Sequence, residues 1–268
     1  MAAHKTVSAD GVAIAWEEWG NPAGREILFI HGFNQCRLSW LRQLADPAFA
    51  KRYRMVAFDL RGHGESDKPL GAEFYAADKL WADDVAAVLF AAGLKRPLFV
   101  GWSYGGRVIA DYVRAYGASA IAGINFVAAR TSVDPAILGP ARKHFRAMIS
   151  DDLTQNIAGT RAFLRGCFEL QPTAEDFETM LAFNMVVPAA VRAHVLARGP
   201  DTLDAIRALD CPVLATHGTK DQVLLPALSE LTASCVKGAR LSLYEGIGHA
   251  PFWEDAERFN RELAEFVT

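Results

Sequence analysis

The chain has 268 residues, 51% hydrophobic and 22% charged, with a formal net charge of −3 at pH 7. That composition is globular and supplies apolar material for one large α/β domain carrying an insertion. The near balance of charge argues against a polyanion partner, so no nucleic acid is expected.

The opening stretch "MAAHKTVSADGVAIAWEEWG" lacks the apolar core of a secretory signal, and no run approaches the 18 apolar residues of a membrane span. A cytoplasmic protein without a membrane partner is expected. "KTVSADGVAIAWEEW" predicts a β-hairpin turning at Asp10–Gly11. "EILFIHGF" is a continuous apolar run that stops at glycine, as a strand covered on both faces would. "SWLRQLADPAFAKR" predicts a helix capped by Ser39. "YRMVAFDLRGHGESD" predicts a strand running into a glycine-rich loop. "AADKLWADDVAAVLFAAGL" sets Leu80, Trp81, Val85, Val88 and Leu89 on one helical face, with Gly93 placed to end the helix. "PLFVGWS" then predicts a strand, "YGGRVIADYVRAYG" a helix and "AIAGINFVAA" a strand. "CPVLATHGTKD" and "RLSLYEGIGH" predict the last two strands, and Ala256, Phe259, Leu263 and Phe266 mark a closing helix. Alternating strands and helices imply a mostly parallel sheet flanked by helices. The four cysteines, Cys36, Cys167, Cys211 and Cys235, stand singly without a C-x-x-C pair, so reduced thiols are expected.

Residues 131–200 break the alternation. Four helical stretches, "ILGPARKHFRAMI", "NIAGTRAFLRGCFEL", "AEDFETMLAFNMV" and "PAAVRAHVLAR", are separated by Gly, Pro and Asp. They read as a helical cap, or lid, inserted into a core formed by 1–130 and 201–268.

"G101-W-S103-Y-G105" fits G-x-S-x-G and sits between a predicted strand and a predicted helix. That context is the nucleophile elbow: a sharp turn fenced by glycine, which aims the Ser103 hydroxyl away from the sheet. The plainer alternative is a turn or helix-cap serine. A serine hydroxyl needs a base. Of seven histidines, His249 in "EGIGHAPFWED" follows the last strand and falls in a loop. His31 and His217 end strands before glycine, where a structural role fits, and His63 is loop-bound. A carboxylate should orient the imidazole. Asp221 lies 28 residues before His249 and gives the order Ser103…Asp221…His249. Asp134, just after the strand "INFVAA", is the competing acid. "D59-L-R-G-H-G-E-S-D67" lacks a P-loop pattern and reads as a structural loop. His31, His63 and His217 lack metal-ligand spacing, so no metal is expected and a chelator should change nothing.

On these motifs the chain resembles an α/β-hydrolase-fold serine hydrolase of the capped, esterase-like kind, close to the non-haem chloroperoxidase and arylesterase group. The likeness runs from "ILFIHGF" through "VAFDLRGHGESDKP", "FVGWSYGG" and "PVLATHGTKD" to "GIGHAPFWEDAERFNRELAEFV". It is weakest in the cap. The resemblance implies about eight strands, a cap after strand six, no cofactor, and an oxyanion hole from the backbone N–H groups of Phe33 and Tyr104. Ester hydrolysis through an acyl-enzyme on Ser103 is the leading expectation, with activity rising as His249 loses its proton. Perhydrolysis, thioester or C–C bond hydrolysis would use the same machinery. A ligand receptor without turnover is the reading from another class. Serine at the elbow argues against haloalkane dehalogenases and most epoxide hydrolases, which carry aspartate there.

Trp102 and Phe33 are expected to wall the pocket beneath apolar cap residues such as Phe145, Phe163, Phe177 and Met180. Arg142, Lys143, Arg161 and Arg165 are expected on solvated cap faces. A closed apolar pocket would favour a small-molecule ester of short or medium acyl length over long-chain lipids and charged substrates. The reading leaves room for a homo-oligomer.

Overall fold

The apolar runs pair into one sheet. A computed structural model describes residues 4–199 and 202–266. Its strands are β1 (His4–Val7), β2 (Ala13–Gly20), β3 (Arg25–Ile30), β4 (Tyr53–Phe58), β5 (Leu98–Trp102), β6 (Gly123–Val127), β7 (Val213–Gly218) and β8 (Arg240–Tyr244). They lie in the order β1-β2-β4-β3-β5-β6-β7-β8. Only the pairs β1–β2 and β2–β4 are antiparallel. At the centre, Val100 of β5 sits between Phe29 of β3 and Asn125 of β6. Every residue of β5 and β6 is buried, as expected for strands covered on both faces.

The local signals explain most elements. Gly11 takes a φ of +90° in the first hairpin turn, and Asp10 accepts the Val12 N–H at 3.3 Å. The helix Asp78–Ala92 buries Trp81, Val85, Val88 and Leu89 and ends on Gly93 at φ +63°. The closing helix Ala256–Phe266 buries Phe259 and Leu263. The four cysteines are free, three of them buried.

Two expectations change. Ser39 caps nothing: it lies inside a 3-10 turn, Arg37–Trp40. Pro47 stops the first helical run, because the residue before proline is pushed out of helical conformation. Asp46 therefore caps a new helix, Pro47–Arg52, and accepts the Phe49 N–H at 2.8 Å. Pro140 likewise splits the first predicted helix of the insertion. What forms is two 3-10 turns, Pro135–Ile137 and Pro140–His144, and a short helix, Phe145–Met148. The other three insertion helices are Leu153–Gly166, Ala174–Met185 and Ala189–Ala197. Among the described residues no strand falls between β6 and β7. The expected boundary between 200 and 201 lies outside the described residues. Among the described residues no single helix is long and apolar enough to cross a membrane.

The glycine-rich loop 59–67 is a brace. Asp59 is fully buried, accepts the backbone N–H of Arg37 at 2.7 Å and of Glu65 at 2.8 Å, and ion-pairs with the Arg37 guanidinium. Buried Arg61 pairs with Asp84 and Asp10, each at 2.7 Å.

Candidate active site

The parallel strands β3, β5 and β7 end at one edge of the sheet, and the residues just beyond them converge there. Ser103 follows β5 and opens the helix Tyr104–Tyr116 with φ 53° and ψ −112°. A non-glycine residue in that region costs about 1–3 kcal/mol. Three hydrogen bonds hold it: its N–H donates to Val127 at 2.9 Å, and its C=O accepts from Gly106 at 3.0 Å and Arg130 at 2.8 Å. The turn also needs a bare neighbour, since a Cβ on Gly105 would sit 2.4 Å from the Ile30 carbonyl oxygen.

His249 lies in the loop after β8. Its Nδ1 is 2.6 Å from Asp221 Oδ2, which fixes the proton on Nδ1 and leaves Nε2 as an acceptor. The loop is pinned from two sides. The His249 N–H donates to Cys167 in the insertion at 2.9 Å, and Trp102 Nε1 donates to the His249 carbonyl at 2.8 Å. Because Trp102 precedes Ser103, the imidazole loop is held against the elbow.

Asp221 is buried and takes four donors. Oδ1 accepts the N–H groups of Val223 at 2.7 Å and Leu224 at 3.0 Å. Oδ2 accepts from His249 and from His217 Nε2 at 2.9 Å. Burial alone would push this carboxyl up. Attraction to His249 and hydrogen bonds from His217 and His249 outweigh it and hold the group well below the usual carboxylate range. Asp134 plays another part: exposed, it accepts the Ala136 N–H at 2.9 Å and caps a turn. His217, for which a structural role fitted the sequence, shares an Asp221 oxygen with His249. The spacing of four in "HGTKD" was the available sign.

His31 and His63 brace the loop that carries Phe33. His31 Nε2 accepts the Leu60 N–H at 2.9 Å, while Nδ1 donates to the Gly32 carbonyl at 2.8 Å. His63 Nε2 accepts the Asn34 N–H at 3.2 Å, and Nδ1 donates to the Arg61 carbonyl at 2.9 Å. Each ring needs one bare nitrogen, so each must stay neutral. Burial pushes both down to about 3. Their folded values lie below the unfolded value of about 6.5. Their contribution to stability is therefore complete above about pH 6.5 and is lost as pH falls toward 3, by up to about 1.4 kcal/mol per pH unit per histidine. The melting temperature should drop between pH 7 and pH 4.5, and His31→Gln should flatten that drop. An unchanged slope in the variant would show that the acid sensitivity lies elsewhere.

Phe33, Ser103 and Tyr104 border one small space with Phe145, Phe163 and Leu196 of the insertion and Val223 and Leu224 of the loop after β7. About 30 Å³ is open there, room for about two waters. Among the described residues neither the Phe33 nor the Tyr104 N–H has a hydrogen-bond acceptor. Phe33 is thus beside Ser103 in this space. Trp102 is not: its ring packs behind the serine against His249 and Phe252, with centroids at 5.5 and 4.9 Å, because successive strand residues point to opposite faces. Lys143, Arg161 and Arg165 are exposed as expected, but Arg142 lines the space, and so does Arg130. The broken helix at Pro140 turns Arg142 inward. No sequence pattern marked Arg130.

Residues 27–262 match the model of the Alpha/beta hydrolase family. The chain belongs to that family. This alpha/beta hydrolase is 30% identical over 279 residues to a non-heme haloperoxidase from Rhodococcus erythropolis, with 97% of each chain covered. A solved candidate aryl esterase from Burkholderia cenocepacia superposes with TM-score 0.95 at 37% identity, covering 99% of this chain and 98% of that one. An esterase from Rhodococcus sp. ECU1013 gives 0.93 at 34%, covering 100% and 98%. The hydrolase is thus esterase-like in fold and sequence.

Proposed function

We propose that this hydrolase cleaves small carboxylic esters through an acyl-enzyme on Ser103. The observation that carries this reading is the committed imidazole: Asp221 holds the His249 proton on Nδ1, so Nε2 is left to accept one. His249 Nε2 takes the Ser103 proton as Oγ attacks the acyl carbon. The N–H groups of Phe33 and Tyr104 hold the oxyanion; one such donor lowers a barrier by about 2.7–4 kcal/mol. His249 then gives the proton to the leaving alkoxide. Water, activated by the same nitrogen, releases the acid. The helices between β6 and β7 act as the cap, and a small-molecule ester is the only partner the reaction requires.

The space above Ser103 limits the acyl chain. Each buried methylene adds about 0.8 kcal/mol only while there is room. For p-nitrophenyl esters, kcat/KM should peak at short or middle acyl length and then fall. A rate still climbing at sixteen carbons would mean an open lipid groove. Likeness to a non-heme haloperoxidase favours a second reading, in which peroxide replaces water at the acyl-enzyme. Peracid formation from an ester and hydrogen peroxide, lost in Ser103→Ala, would support it.

A further inference from the structure

The expectation that the pocket disfavours charge placed Arg142 on a solvated cap face, and Arg142 instead lines the space beside Ser103. Two guanidiniums face the space beside Ser103. Arg130 comes from the core, where its backbone N–H is tied to the Ser103 carbonyl at 2.8 Å. Arg142 comes from the insertion. The two thus meet across the boundary between core and cap.

Among the described residues neither has a carboxylate partner. The buried arginines differ: Arg107 pairs with half-buried Asp78 at 3.3 Å, and Arg37, Arg61 and Arg198 each pair with a buried carboxylate. Arg192 lacks one but donates to Met148, Asn156, Thr160 and Asn184. The Arg130 guanidinium makes one long bond, 3.4 Å to the Arg198 carbonyl. The Arg142 guanidinium lies over the Phe145 ring at 5.0 Å and, among the described residues, has no hydrogen bond or ion pair. Among the described residues no Asp or Glu borders the space. Burial, with Arg107, Arg142 and Arg198 nearby, pushes Arg130 down to about 10, and burial lowers Arg142 as well. Both side chains are half-buried, and withdrawing unpaired cations from water is costly, so an anion seated between them beside the serine would be favoured. A planar carboxylate matches the guanidinium fork and fits a small space.

We infer that the substrate is an ester bearing a carboxylate, such as a half-ester of a dicarboxylic acid, with Arg130 and Arg142 gripping the carboxylate while Ser103 attacks the ester carbon. This rests on the esterase reading above. The hydrolysis balances: one water enters, the ester C–O bond breaks, and a dicarboxylate, an alcohol and one proton leave, the proton passing to solvent. A carboxylate spanning core and cap would also draw the two together over the serine.

The test compares monoethyl adipate with ethyl hexanoate, of equal acyl length, by ethanol release. The half-ester should show kcat/KM higher by about tenfold or more, the scale of one good charged hydrogen-bonded pair. In Arg142→Met and in Arg130→Met that ratio should fall toward one. Adipate itself should slow fluorophosphonate labelling of Ser103 in the wild type and much less in either variant. Should ethyl hexanoate be cleaved as well as the half-ester, with Ser103 labelled and adipate without effect, the carboxylate site is wrong and the esterase stands. Should Ser103 resist labelling and no ester turn over, the esterase reading falls first. The wild-type comparison and the protection assay decide the matter even if a variant fails to fold.

Discussion

Ser103→Ala will abolish ester hydrolysis, with kcat lower on the order of 10⁶-fold, the scale of removing the serine of a protease triad. The fold should hardly notice. Ser103 is anchored by its backbone, through Val127, Gly106 and Arg130, and alanine keeps all three bonds. The melting temperature should therefore match wild type while turnover vanishes. A fluorophosphonate should label the wild type at Ser103 alone. Residual turnover in a folded variant, or labelling at another residue, would move the nucleophile elsewhere.

Asp221→Asn will also cost orders of magnitude, though fewer, and for another reason. The amide oxygen will stay with the two backbone donors, Val223 and Leu224. Its NH₂ then faces His249 Nδ1 and His217 Nε2, which both donate in the wild type. His249 must shift its proton to Nε2, where it blocks the serine. In serine proteases the wrong tautomer lowers kcat on the order of 10⁴-fold. His217 must adjust too, so a stability loss of about 1–3 kcal/mol should accompany the rate loss. Asp134→Asn changes one exposed turn cap and should leave kcat within about twofold. A larger effect at Asp134 than at Asp221 would transfer the acid's role to the loop after β6.

The core was readable because its signals are local. Continuous apolar runs ending in glycine gave the parallel strands, and a serine fenced by glycines at a strand–helix junction gave the elbow. Chain order then put Asp221 ahead of Asp134, and the carboxylate beside His249 is Asp221. The insertion was less readable. Its helical periodicity showed, but proline broke the first helix, and the break decided which face Arg142 presents. His217 meets His249 through Asp221, and Arg130 lines the same space as Leu196 and Val223; no pattern in one stretch encodes such a meeting. Trp102 shows the same limit: nearness in sequence to Ser103 suggested a shared pocket, and strand alternation sent its ring the other way.

The positive φ at Ser103 bears on how this protein can change over generations. Glycine adopts that conformation without steric cost. On stability alone, position 103 would drift to glycine, and the chain would fold somewhat more firmly for it. On the proposed mechanism, what holds a hydroxyl there is chemistry, and a descendant released from its substrate could surrender that hydroxyl and gain robustness in the same step.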